Sequence, residues 1–99
     1  MAYRLTPSAK RDLAEIFAYY EERAGLDAAD RLIDSITERF SLLSDFPDAG
    51  RSTADLGAGV RCFPVGRYLV YYRKARRRDV VILRVLHGAR DQKRSFRKH

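Results

Sequence analysis

Tryptophan is missing from this chain, and sulfur and imidazole are nearly so. The 99 residues hold one cysteine (Cys62), one methionine and two histidines (His87 and His99). A lone cysteine excludes an intramolecular disulfide, and the chain reads as a protein of the reducing cytoplasm. His87, His99 and Cys62 stand at no metal-ligand spacing, so neither a metal nor any other cofactor is expected. No apolar run approaches the ~18 residues of a membrane span. The first 25 residues carry charges throughout and hold no apolar core of a signal peptide, so no secretory leader is expected. Leu56-Gly-Ala-Gly59 has glycines but neither the Lys-Ser/Thr nor the preceding strand of a phosphate loop. Internal repeats and dividing linkers are also lacking, which points to a single domain over residues 1–99.

What is present suits one modest core. Hydrophobic residues make up 45% of the chain. A chain of this length buries about 65% of its unfolded surface. Charge is abundant and unevenly placed. Residues 1–59 carry seven Lys/Arg against eleven Asp/Glu, a net of −4, while residues 60–99 carry thirteen against two, a net of +11. Such a split calls for an acidic partner of the C-terminal half, either a nucleic acid or an acidic protein segment.

Taken in order, Ala2 to Thr6 reads as a short strand, with Tyr3 and Leu5 alternating against Arg4. Thr6-Pro7 starts a helix, with Thr as cap and Pro at the first helical position. Ala9, Leu13, Ile16, Phe17 and Tyr20 form its apolar stripe, and Gly25 ends it. Asp27 is the expected cap of a second helix, with the stripe Ala29, Leu32, Ile33, Ile36, Phe40 and Leu43. Phe46-Pro47 stops it. The short link makes the two helices an antiparallel hairpin. Residues 48–59 read as a loop. Strands are expected at Val60–Phe63, Arg67–Arg73 and Val80–Leu86, the last being the central one, with a basic turn at Lys74–Asp79. Residues 90–99 form a basic tail. The order is β-α-α-β-β-β, a two-layer α+β fold with the helical hairpin packed on a mainly antiparallel sheet. The other sheet face should present basic residues and tyrosines.

Val80 to Asp91 is the organising stretch, since it runs from the longest apolar segment into His87-Gly88, Arg90 and Asp91. The chemistry these residues suggest is metal-free RNA cleavage, which needs a base, an acid and cations for the phosphate. His87 offers the first, Tyr68, Tyr71 or Tyr72 the second, and Arg61, Arg67, Arg84 and Arg90 the third. Strand alternation sets Val81, Leu83, Val85 and His87 on one face and Val80, Ile82, Arg84 and Leu86 on the other. That separates Arg84 from His87 and counts against a compact nuclease site. His87 then reads as a structural histidine. Arg84 either reaches over the sheet or pairs with an acid of the helices, and Cys62 reads as a small core residue.

Four blocks carry a family resemblance: Pro7–Ile16, Pro47–Arg51, Arg61–Tyr72 and Arg84–Asp91. Together, in this order, they resemble the ParE branch of the RelE/ParE toxin superfamily over about residues 3–91. The resemblance implies the toxin of a type II toxin–antitoxin module, a helical hairpin on an antiparallel sheet. It implies inhibition of DNA gyrase without catalysis, and neutralisation by a ParD-like antitoxin whose acidic segment makes a hetero-oligomer with the toxin. On that reading Arg61, Arg67, Arg84, His87, Arg90, Arg97 and Lys98 meet the target, and Tyr19, Tyr20, Arg67 and Arg84 meet the antitoxin. RelE-like relatives instead cut mRNA on the ribosome. For that alternative the matching residues are Arg61, Arg67 and His87. The chain lacks the Lys, Glu or His in its 48–60 loop and the tyrosine after His87 that such relatives use. A plain basic nucleic-acid-binding module is the further alternative.

Overall fold

A computed structural model describes residues 3–76 and 79–88. Seven elements of helix and sheet follow one another: β1 (Tyr3–Leu5), α1 (Pro7–Ala24), α2 (Leu26–Asp45), β2 (Arg51–Ser52), β3 (Arg61–Val65), β4 (Tyr68–Lys74) and β5 (Val80–His87). A 3₁₀ turn at Ala54–Leu56 lies between β2 and β3. The sheet runs β1-β5-β4-β3-β2. β1 pairs with β5 in parallel and the other pairs are antiparallel. The α+β order expected from the sequence is present, with β2 as an addition. Two residues are too short to show any periodicity, and β2 exists only because Arg51 and Ser52 pair with Cys62 and Arg61. β4, not β5, is the middle strand.

Local chemistry explains the helices. Thr6 is extended, and its Oγ1 accepts the Ala9 N–H at 3.0 Å while donating to the Leu83 carbonyl at 2.8 Å. One hydroxyl thus starts α1 and ties it to β5. Gly25 alone joins the two helices. Its φ of 93° and ψ of 168° belong to glycine, and its N–H and C=O bond to Glu21 and Ala29. α2 therefore begins at Leu26, and Asp27 lies inside its first turn instead of capping it. The glycine carbonyl already occupies the position the cap was expected to fill.

Both helices lie on one sheet face. Ile36, Phe40, Leu43, Val70, Tyr72, Val80 and Ile82 are completely buried there, with Ile16, Val85 and Tyr68 beside them. Each large aliphatic or aromatic side chain so buried contributes about 1.5–3 kcal/mol of transfer free energy. Tyr68 and Tyr72 thus belong to the core, not to the open face. That outer face holds a second apolar cluster of Val60, Cys62, Tyr71 and Leu86, flanked by Leu56, Leu69 and Leu83. Tyr71 is only 2% exposed. The tyrosine that does lie on the outer face, Tyr71, is sealed because Leu56 and Val60 pack in the same cluster.

β5 departs from strict alternation. Tyr71 pairs with Arg84 but Tyr72 pairs with Ile82, so Leu83 is an extra residue. Such a bulge shifts every following side chain by one position. Val85 joins Val80 and Ile82 on the helix side, and Leu83 and Leu86 share the outer cluster.

Candidate functional site

A cleft of about 550 Å³ opens between α1 and the far ends of β4 and β5. α1 contributes Asp12, Glu15, Ile16, Tyr19 and Tyr20 to its wall. The sheet contributes Arg67, Tyr68, Val85, Leu86 and His87. Helical spacing explains the first set: positions 12, 16, 19 and 20 recur every three or four residues and share a face. The bulge explains the second, because it turns Val85 and His87 toward α1.

Asp12 anchors the back of the cleft. It is 6% exposed. Its Oδ2 accepts from Arg84 Nε at 2.7 Å and from the Val85 N–H at 2.9 Å, and its Oδ1 accepts from Arg84 Nη2 at 2.9 Å. The bidentate geometry is the strong form of this pair. The Asp12 hydrogen bond, opposed by burial, raises the Arg84 pKa further. Of the two outcomes foreseen for Arg84, pairing with a helix acid is the one found. The sequence carried a signal for Asp12: it stands three residues after Ala9 and four before Ile16, inside the apolar stripe. A lone acid at such a position needs a buried partner.

The mouth is aromatic and basic. The Tyr68 and His87 rings meet edge to face, with centroids 5.4 Å apart. Tyr19 and Tyr20 meet in the same way at 6.1 Å. Tyr19 is 53% exposed and carries the Arg23 guanidinium 4.2 Å above its ring. Burial first, and then the neighbouring Tyr20 and Tyr19, push the Tyr68 phenol above its ordinary pKa. Arg67 is exposed and follows Gly66, whose φ of 59° lets β3 turn back into β4. The Arg67 carbonyl accepts from the Gly88 N–H at 2.8 Å, which staples the β3–β4 turn to the exit of β5.

Arg61 lies elsewhere. Its Nη1 donates to the Gly50 carbonyl at 2.6 Å, and its Nη2 is 3.3 Å from Asp48 Oδ1. Lys74 Nζ meets the same carboxylate at 2.6 Å. The Lys74 hydrogen bond, with its charge and that of Arg61, holds the Asp48 carboxyl below its usual range. Arg61 pairs with Tyr72 at one end of the β3–β4 ladder, and Val65 pairs with Tyr68 at the other. Four strand steps of about 3.3 Å put it roughly 13 Å from the Arg67 end.

The structure thus gathers Tyr19, Tyr20, Arg67 and His87 around one cleft, puts Arg84 behind Asp12, and sets Arg61 apart. Arg90, Arg97, Lys98 and the basic tail lie outside the described residues. Among the described residues no three His, Cys, Asp or Glu side chains are grouped to hold a metal ion. Nor is any helix of the described residues long and apolar enough to cross a membrane.

Residues 3–92 match the family described as the ParE toxin of the type II toxin–antitoxin system parDE. Toxin ParE1 of Caulobacter vibrioides is 35% identical over 85 residues, covering 86% of this chain and 86% of the relative. Toxin ParE3 of the same organism is 40% identical over 77 residues, covering 78% and 76%. Toxin ParE1 of Mycobacterium tuberculosis is 27% identical over 94 residues, covering 95% and 96%. A solved structure described as the chromosomal ParDE TA system from P. aeruginosa superposes with a TM-score of 0.74. It is 22% identical and covers 88% of this chain and 95% of that one, so the likeness is one of fold.

Proposed function

The chain belongs to the ParE toxin family of type II toxin–antitoxin systems, and from that premise we propose that it inhibits DNA gyrase by binding and is neutralised by a ParD-like antitoxin. The observation that carries the binding reading is the separation of Arg61 from Arg67 and His87. The cations and imidazole of a nuclease must reach one phosphate together. Here Arg61 is bound to Asp48 and Gly50 at the opposite end of β3. Arg67 and His87, with Arg84 behind them, form the target-binding surface, and the toxin does its work in the cytoplasm where gyrase acts.

The antitoxin occupies the cleft beside Tyr19 and Tyr20. These rings supply apolar area with polar tips. Arg67 offers an exposed cation at its mouth, which suits an extended acidic segment that folds on binding. Purified toxin added to a gyrase supercoiling reaction and to a translation reaction distinguishes the readings. Lost supercoiling with intact message is the expected result. Cut message beside normal supercoiling overturns the proposal in favour of an mRNA endonuclease.

A further inference from the structure

Five arginines stand on the strands, Arg4, Arg51, Arg61, Arg73 and Arg84, and ion pairing leaves three of them over on one face. Asp12 holds Arg84, and Asp48 holds Arg61 and Lys74. Among the described residues Arg4, Arg51 and Arg73 form no ion pair. All three are exposed. Register fixes their side. Arg4 and Arg73 both pair with Val81. Their neighbours Leu5 and Tyr72 belong to the helix-side core, so alternation turns Arg4 and Arg73 to the outer face. Arg51 pairs with Cys62, a member of the outer cluster, and shares that face.

We propose that this outer sheet face is a second binding surface, and that Arg4, Arg51 and Arg73 take the phosphate backbone of duplex DNA. Two strand spacings separate Arg4 from Arg73, about 10 Å, which spans roughly three phosphate rises of 3.4 Å along one strand. The apolar centre of the face is sealed, and Leu56, Leu69 and Leu83 beside it are only partly exposed. Cys62, Tyr71, Leu86 and Val81 are all at most 6% exposed. A protein partner anchors on apolar or aromatic side chains in an interface core depleted of charge. A polyanion needs only the cations. The opposite side of the molecule is its complement in sign. α1 and α2 together carry nine Asp/Glu against five Lys/Arg. That asymmetry turns the arginine face, not the helices, toward DNA. The surface is distinct from the α1 cleft and does not depend on gyrase as the target.

The test is the salt dependence of binding between the full chain and a short labelled duplex. Each phosphate contact contributes about 0.9 to the slope of log K against log salt. The triple variant Arg4→Ala, Arg51→Ala, Arg73→Ala is expected to lower the slope by about 2.7, equally on unrelated DNA sequences. A control of equal charge loss on the helices, Lys10→Ala, Arg31→Ala, Arg39→Ala, is expected to leave the slope within about one contact of the parent. All six side chains are exposed, and a thermal melt of each variant reports whether the fold is kept. Single variants Arg4→Ala and Arg73→Ala should each lower the slope by about 0.9. An unchanged slope in the outer-face variants, or an equal fall in the helix control, overturns the proposal. So does a variant that keeps DNA affinity while losing an acidic peptide. Supercoiling inhibition is measured on the same samples: its loss in the parent chain bears on the gyrase reading alone, and its retention with no slope change refutes the DNA surface alone.

Discussion

Asp12 ties α1 to β5. It receives three hydrogen bonds, two from Arg84 and one from the Val85 backbone. Arg84 is 11% exposed at its side chain. Removing the acid leaves a nearly buried guanidinium without that partner, so Asp12→Ala should lower stability by about 3–5 kcal/mol. Urea unfolding measures it, and a loss below about 1 kcal/mol would mean that water replaces the carboxylate. Tyr71 makes a second prediction at this scale. Burial, helped by the hydrogen-bonded Cys62, pushes its phenol up to about 12. The unfolded chain gives up that proton first, near pH ~10. The stabilisation is therefore whole below pH ~10 and is lost as pH rises through about 12. Tyr71→Phe should flatten the decline of the urea midpoint across that window. An identical decline in the variant counts against the assignment.

Three element-level joints position the site. Gly25 sets the helical hairpin, the Leu83 bulge re-aims the end of β5, and the 47–51 segment is clamped by β4. In that clamp the Tyr72 hydroxyl donates to the Pro47 carbonyl and accepts the Gly50 N–H, each at 2.8 Å. Gly50 is held so closely that a Cβ would lie 2.6 Å from the Tyr72 hydroxyl and 2.8 Å from the Cys62 carbonyl. Gly50→Ala must push β2 away from β3, at about 1–3 kcal/mol. Faster exchange of the β2 and β3 amides should accompany the loss. Unchanged exchange with unchanged stability would show that the clamp yields freely. The Pro47–Arg51 block was visible in the sequence as a family motif. Its physical reason, a glycine under a tyrosine hydroxyl, was not.

At the scale of the molecule, charge is sorted by layer. Acids outnumber basic residues on the helices, with Glu22, Asp34 and Glu38 exposed, and the unpaired strand arginines and Arg67 stand on the sheet and at the cleft mouth. On the proposed antitoxin reading, an acidic segment is steered by the cleft-mouth cation. Arg67→Glu should therefore slow its association roughly tenfold at low salt, with the difference closing as salt rises. Stopped-flow mixing of toxin and antitoxin reads this directly. Equal rates at low salt would remove Arg67 from the antitoxin surface.

Much of this architecture was legible without coordinates. Helical spacing named both apolar stripes, and Thr6-Pro7 and Phe46-Pro47 marked where helix starts and stops. Short turns implied the antiparallel meander, and four ordered blocks carried the family. These features depend on neighbours in sequence. Other features were decided by tertiary pairing. Alternation put His87 on the side of Val81, yet one inserted residue at Leu83 moved it to the helix side with Val85, and only the pairing of β5 with β4 reveals it. β2 needed β3 to exist at all. Asp12 lay in plain view on an apolar stripe, but its partner stands 72 residues away. Composition announced an excess of arginine. Which arginines are already paired, and that Arg4, Arg51 and Arg73 share one face, followed only from the sheet, because strand register is set between segments and not within one.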